Sequence, residues 1–93
     1  MTVFAVTYSY AASPEALAEI RPIHREYLST LLSQGILLAS GPFVGSDGAL
    51  LVIKAASVNE VAELLDNDPF DIAGFIVERA ITEWNPVFGP WSE

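Results

Sequence analysis

The chain has 93 residues, 52% of them hydrophobic, no cysteine, and twelve acidic against four basic side chains, for a net charge of −8 at pH 7. The missing cysteines exclude disulfides and thiolate metal sites, the negative charge disfavours nucleic acid as a partner, and no stretch approaches the roughly 20 apolar residues of a membrane span. We therefore expect one cytoplasmic domain over residues 1–93, of a size that buries only about 60% of the surface exposed by its unfolded form.

The first predicted element is a β-strand over residues 3–10. This run is continuously apolar, β-branched and aromatic, which is typical of a strand that is buried on both faces. One face would carry Val3, Ala5 and Thr7, and the other would carry Phe4, Val6 and Tyr8.

A long helix should follow. Ser13 suits its N-cap, Pro14 its first position and Gly35 its termination, so we predict a helix from Pro14 to about Gln34. Pro22 removes one backbone hydrogen bond inside this span, and we expect either a kink or two helical segments. The inward face repeats at helical spacing and comprises Leu17, Ile20, His24, Tyr27, Leu28 and Leu31.

The remaining pattern completes an α+β fold. The predicted order is βαββαβ, which indicates a ferredoxin-like sandwich of two helices on one antiparallel sheet. The elements are strands at 36–40 and 49–55 joined through a turn at 45–48, a helix from a Ser57–Glu60 capping box to about Asn67, and a strand at 75–84.

Two helices leave one face of such a sheet uncovered. In the third strand, however, Leu50 and Val52 alternate with Leu51 and Ile53, so both faces are apolar. A second copy of the chain stacked sheet to sheet would cover the second face, and we predict a homodimer.

His24 is the only histidine and lies in the apolar stripe of the long helix. We predict that it pairs with Asp68 of Asp68-Pro69-Phe70, because a carboxylate that accepts from one ring nitrogen leaves the other free to move a proton. The alternatives are a hydrogen-bonded core histidine and an Asp68 that caps a short turn beginning at Pro69. Asp68 can both pair with His24 and cap a turn, since a carboxylate has two oxygens.

An ordered set of motifs resembles the YCII-related family over nearly the whole chain. The set comprises residues 21–28 around His24, the run 35–43 with its Ser40-Gly41-Pro42, residues 47–50, the run 66–70 with its Asp-Pro-Phe, and Trp84. The resemblance implies a dimeric ferredoxin-like α+β barrel, similar in fold to muconolactone isomerase, with a His and Asp pair in a pocket at His24 and Asp68. One member in chloroaromatic breakdown is a dehydrochlorinase, and most members have no assigned substrate.

Four further residues are candidates for contact with a substrate. Ser40 and Gly41 end a strand where a ligand could approach the backbone, or they form an ordinary turn. Arg21 shares a helix face with His24 and could hold a carboxylate, whereas Arg25 should point away from His24, with a role at the surface in solvent or beside Glu26. Phe70 is expected in the wall of the pocket rather than as a reactive group.

The sequence contains no motif for a cofactor. It lacks a dinucleotide fingerprint, a phosphate-binding loop and a nucleophile elbow, and one histidine cannot build a zinc site. An imidazole suits proton transfer at neutral pH, so we predict a cofactor-free lyase or isomerase that acts on a small, cyclic or aromatic-derived metabolite. The alternatives are a non-catalytic dimeric module that binds a small ligand and an accessory subunit of a larger enzyme.

Overall fold

The fold is a four-stranded antiparallel sheet with helices on one face, and the computed structural model describes residues 1–92. The strand order is β2-β3-β1-β4, with every neighbouring pair antiparallel. This confirms the predicted ferredoxin-like α+β fold and adds one short helix. The elements are β1 (Thr2–Tyr10), α1 (Pro14–Ser33), β2 (Leu37–Pro42), β3 (Gly48–Ala55), α2 (Val58–Asp66), α3 (Pro69–Ile72) and β4 (Ile76–Trp84).

The core lies between the helices and the face of the sheet that carries the even-numbered residues of β1. Burial of each large apolar side chain there contributes about 1.5–3 kcal/mol. The side chains that meet in this layer include Phe4, Val6, Tyr8, Leu31, Leu51, Ile53, Val61 and Leu65. One glycine is required beside them, because a Cβ at Gly48 would overlap the carbonyl oxygen of Tyr8.

Both ends of α1 form as the sequence predicts. The Ser13 hydroxyl accepts a hydrogen bond of 3.1 Å from the backbone N–H of Ala16. At the other end Gly35 adopts a φ of 76°, and its N–H donates to the Leu32 carbonyl. The next N–H, of Ile36, donates to the carbonyl of Leu31, which completes a Schellman motif.

Pro22 does not divide the helix. The structure has one continuous helix from Pro14 to Ser33, so the expected alternative of two segments is wrong. Pro22 cannot donate to the carbonyl of Ala18, but both residues are exposed, and water can satisfy that carbonyl.

The second face of the sheet is only partly covered. Val3 is buried and shares a hollow with Trp91, whose ring lies edge-on to Trp84 at a centroid distance of 6.5 Å. Thr7, further along the same face of β1, is exposed, so the prediction of a first strand buried on both faces is wrong at that end. Leu50 and Trp84 also remain exposed on this face.

None of the helices within residues 1–92 combines the length and the hydropathy needed to cross a bilayer.

Candidate functional site

His24 and Asp68 meet in the interior of the protein. The His24 Nε2 atom lies 3.2 Å from Oδ2 of Asp68, and the two residues are 8% and 0% exposed. Because the carboxylate is an acceptor, this contact places a proton on Nε2 and leaves the lone pair of the neutral ring on Nδ1. The contact predicted from the sequence is therefore present.

The backbone around Asp68 holds its carboxylate in place. The Oδ1 atom accepts a hydrogen bond of 2.8 Å from the N–H of Phe70, which makes Asp68 the N-cap of α3, and Pro69 occupies the first position of that helix. The carbonyl of Asp68 also accepts from the N–H groups of Asp71 and Ile72 at 2.9 Å. The capping role and the contact with the imidazole thus coexist, one oxygen serving each.

Tyr8, which the sequence places on one face of a buried strand, is a third member of this cluster. Its hydroxyl donates to Oδ2 of Asp68 at 3.0 Å, so this oxygen accepts from both Tyr8 and His24. Burial, and then the charge of Asp68, raise the pKa of Tyr8 far above its ordinary value. The tyrosine therefore stays neutral and acts as a fixed donor.

The other nitrogen of the His24 ring faces open space. Within residues 1–92 no buried side-chain nitrogen or oxygen lacks a hydrogen-bond partner. Among residues 1–92 His24 bonds through Nε2 alone, so Nδ1 keeps some exposed surface, and the residue lines a cavity. This is the arrangement that a general base requires.

Phe70 fixes the plane of the imidazole. Its ring stacks on that of His24 with a centroid distance of 3.9 Å and an angle of 10° between the planes. Tyr10 meets the same phenylalanine edge-on, at 5.6 Å and 82°. The imidazole is therefore held by a hydrogen bond at one nitrogen and by a packed ring on one side.

The cavity beside His24 has a volume of about 340 Å³, near the lower end of the range for small-molecule sites. It brings together all four predicted substrate contacts, because Arg21, Ser40, Gly41 and Phe70 line it. Arg25 is exposed, as expected, but it also borders the cavity. Along α1 the lining positions are 17, 21, 24, 25 and 28, which share one helical face.

Burial and nearby charge raise the pKa of two more tyrosines. Burial, followed by the charge of Asp68, raises the pKa of Tyr10 and of Tyr27. The positive charge of Arg21 opposes this effect at Tyr10, so the guanidinium lies within electrostatic reach of that hydroxyl. Tyr27 donates to the Leu64 carbonyl at 2.6 Å and ties α1 to α2.

A second hollow, of about 350 Å³, lies where β1 begins and β4 ends, among residues 1–3, 83–86 and 91. It is as large as the first, but within residues 1–92 Glu83 is the only titratable side chain that lines it. Among residues 1–92 no three His, Asp or Glu side chains are grouped closely enough to hold a metal ion. The His24 cavity is therefore the better candidate.

One known protein family matches most of this chain. The model of the YCII-related domain matches residues 1–85. The chain belongs to the YCII-related family. The matched range includes His24, Asp68, Tyr8 and both arginines of the cavity.

A solved structure shares the fold of this YCII-related chain. It is 5-chloro-2-hydroxyhydroquinone dehydrochlorinase from Burkholderia phenoliruptrix AC1100, in complex with 2,5-dihydroxybenzoquinone. The two superpose with a TM-score of 0.75 at 22% identity, over 97% of this chain and 99% of the other. No curated protein sequence matches the chain significantly.

Proposed function

We propose that this YCII-related protein is a small cofactor-free enzyme of the lyase or isomerase type. In this proposal His24 moves a proton on a small ring-sized metabolite, and Asp68 orients the imidazole and stabilises its charged form. The observation that carries the proposal is the buried contact of 3.2 Å between His24 Nε2 and Asp68 Oδ2, in a residue that lines the cavity and whose Nδ1 is free to act as the base.

The chemistry needs one base and no further reactant. When Nδ1 takes a proton from the substrate, the imidazole becomes a cation beside the Asp68 carboxylate, which offsets the cost of that charge. In an isomerisation the same proton returns to a different atom. In a dehydrochlorination the electron pair left by the proton forms a π bond, and chloride leaves with the electrons of the carbon–chlorine bond.

The solved relative supports the reaction class. That protein is a dehydrochlorinase of a hydroxylated ring compound, and such an elimination is one of the two reactions that a single positioned base can promote. At 22% identity the likeness establishes the fold alone. The substrate class that we propose for this chain therefore rests on its own cavity.

Non-catalytic binding is the second candidate function. Among the residues that line the cavity, His24 is the one whose side-chain type serves as a proton carrier in general acid and base catalysis at neutral pH. Tyr8, which could serve as a second acid, is buried and donates to Asp68 instead. A site with one such group also suits a module that holds a small ligand, alone or as the accessory subunit of a larger enzyme.

We also propose that a second copy of the chain covers the open face of the sheet. The apolar residues Leu50, Trp84 and Phe43 are exposed on or beside that face. Although the chain is strongly acidic, the strand register places one carboxylate there, Glu78, together with Lys54. Two copies can therefore stack with little charge repulsion.

Exchange in D₂O tests the proposed catalysis. The protein is incubated with hydroxylated and chlorinated hydroquinones and with unsaturated lactones, and proton NMR together with chloride release reports exchange, isomerisation and elimination. The parent should turn over at least one of these compounds. His24→Ala should lower the rate by about 10²-fold or more, and Asp68→Asn should reproduce much of that loss.

The control is Glu26→Ala, at an exposed position of the same helix, which should leave the rate unchanged. Equal turnover by the parent and His24→Ala would contradict the proposal. Binding of ring compounds beside His24 without turnover of any of them would favour the non-catalytic alternative.

A further inference from the structure

The basic residues of this acidic chain are unevenly distributed. Of the four in the sequence, Arg21 and Arg25 both line the His24 cavity. Arg79 is engaged elsewhere, at 2.6 Å from Asp66 and 2.9 Å from Asp71. Half of the cationic side chains in a protein of net charge −8 thus border one small cavity.

Neither arginine of the cavity has an acidic neighbour on the helix. The positions three and four residues from Arg21 and Arg25 hold alanine, leucine, proline, serine, His24 and the two arginines themselves. Among residues 1–92 no carboxylate lies within 4.0 Å of either guanidinium. Like charges at positions i and i+4 of a helix repel each other by a few tenths of a kcal/mol, and an anion bound beside both guanidinium groups would remove that repulsion.

The carboxylate of the site cannot supply that anion. Asp68 is completely buried, and its two oxygens already accept hydrogen bonds from His24, Tyr8 and the backbone of Phe70. The arginines belong to the open side of the cavity, since Arg25 is exposed and Arg21 is partly so. Within the part of the chain that the structure describes, both guanidinium groups are therefore free to bind an anion that enters the cavity from solvent.

We propose that the ligand of this site is a small delocalised oxyanion, a carboxylate or phenolate on a single apolar ring, whose charged group lies against Arg21 and Arg25. This inference rests on the proposed function for the location of the site. The planar guanidinium matches such an oxyanion with paired hydrogen bonds. The wall opposite α1 is apolar and includes Pro42, Ala49 and Leu51, and the volume of about 340 Å³ suits one ring.

The same arginines would assist proton transfer. Arg21 precedes His24 by three residues and Arg25 follows it directly, so an anion bound by both lies next to the imidazole. When His24 removes a proton from a carbon beside the oxyanion, negative charge grows on the oxygens, and two fixed cations stabilise it as it forms.

Benzoate and benzamide provide the test, because they have nearly the same shape and differ in charge. Their dissociation constants are measured at pH 7 by NMR titration of the ¹⁵N-labelled full chain, with the amides of Ser40 and Gly41 as reporters of the cavity. Benzoate should bind at least about tenfold more tightly than benzamide, as expected for a charge-assisted contact. Salt at 0.3 M should weaken benzoate alone, on the order expected for screened charges.

The double variant R21Q/R25Q should lose the preference for benzoate while its affinity for benzamide stays the same. Lys54→Gln is the matched control, because it removes a positive charge from the opposite face of the sheet, and it should keep the preference. Equal binding of the two compounds, a preference that survives in R21Q/R25Q, or no binding of benzoate at the cavity would each overturn the inference.

The inference and the proposed function fail separately. A charge preference that depends on both arginines, together with equal turnover by the parent and His24→Ala, would retain the anion site and remove the catalysis. Turnover that depends on His24, without any preference for the charged ligand, would retain the catalysis and remove the anion site.

Discussion

Replacement of Tyr8 by phenylalanine isolates one hydrogen bond to the buried carboxylate. The ring stays in the core, where Tyr8 is 2% exposed, and the change removes the donor 3.0 Å from Oδ2 of Asp68. A hydrogen bond to a charged group contributes about 1.5–3 kcal/mol. For a domain of this size, a loss of about 2 kcal/mol lowers the urea midpoint by roughly 1 M and the Tm by about 8–16 °C.

Tyr27→Phe is the matched control for this experiment. It deletes the same atom, but the hydroxyl donates to the neutral carbonyl of Leu64 at a partly exposed position, where a loss of about 0.5–1.5 kcal/mol is expected. Urea unfolding followed by circular dichroism at pH 7 compares the two variants with the parent. A Tyr8→Phe protein that is no less stable than Tyr27→Phe would refute the view that Tyr8 supports a charged Asp68.

Two further outcomes follow from the raised tyrosine pKa values and from the open sheet face. The pKa of Tyr8 is raised in the folded protein, whereas in the unfolded chain it is near 10.0. Above about pH 10 the unfolded state therefore binds fewer protons than the folded state. The free energy of unfolding should then fall by about 1.4 kcal/mol per pH unit because of this residue. Tyr8→Phe should reduce that slope in urea titrations between pH 9 and 11, and parallel profiles for the two proteins would contradict the assignment. Sedimentation equilibrium at micromolar concentration should show a dimer that Leu50→Glu dissociates; a folded parent monomer of about 10 kDa would contradict the proposed second copy.

The fold could be predicted from the sequence because the local signals in the sequence agree with one another. Ser13 and Gly35 delimit α1 through an N-cap and a positive φ, and the structure shows both. The effect of Pro22 was predicted only in part, because the cost of a proline inside a helix depends on whether water reaches the carbonyl it leaves unpaired. Exposure of that kind is a tertiary property that the local sequence does not contain.

The site could be predicted from the sequence only in part. The contact between His24 and Asp68 was predicted from the lone histidine and the resemblance to the family, but the role of Tyr8 was missed. A signal existed, since a tyrosine on the inward face of a buried strand needs a partner for its hydroxyl. The place of Arg25 at the cavity was also not predicted: it lies about 100° from His24 around the helix, but positions 21, 25 and 28 share one helical face.

The central claim is that Nε2 of His24 donates to the Asp68 carboxylate and leaves Nδ1 as the base that faces the cavity. Because the chain has one histidine, the ¹⁵N shifts of its imidazole, recorded on uniformly labelled protein at pH 8, can be assigned without ambiguity. We predict a protonated Nε2 and an unprotonated Nδ1, with the Nε2–H resonance changed in Asp68→Asn. A protonated Nδ1 with a bare Nε2, or an imidazole spectrum that Asp68→Asn leaves unchanged, would contradict the account.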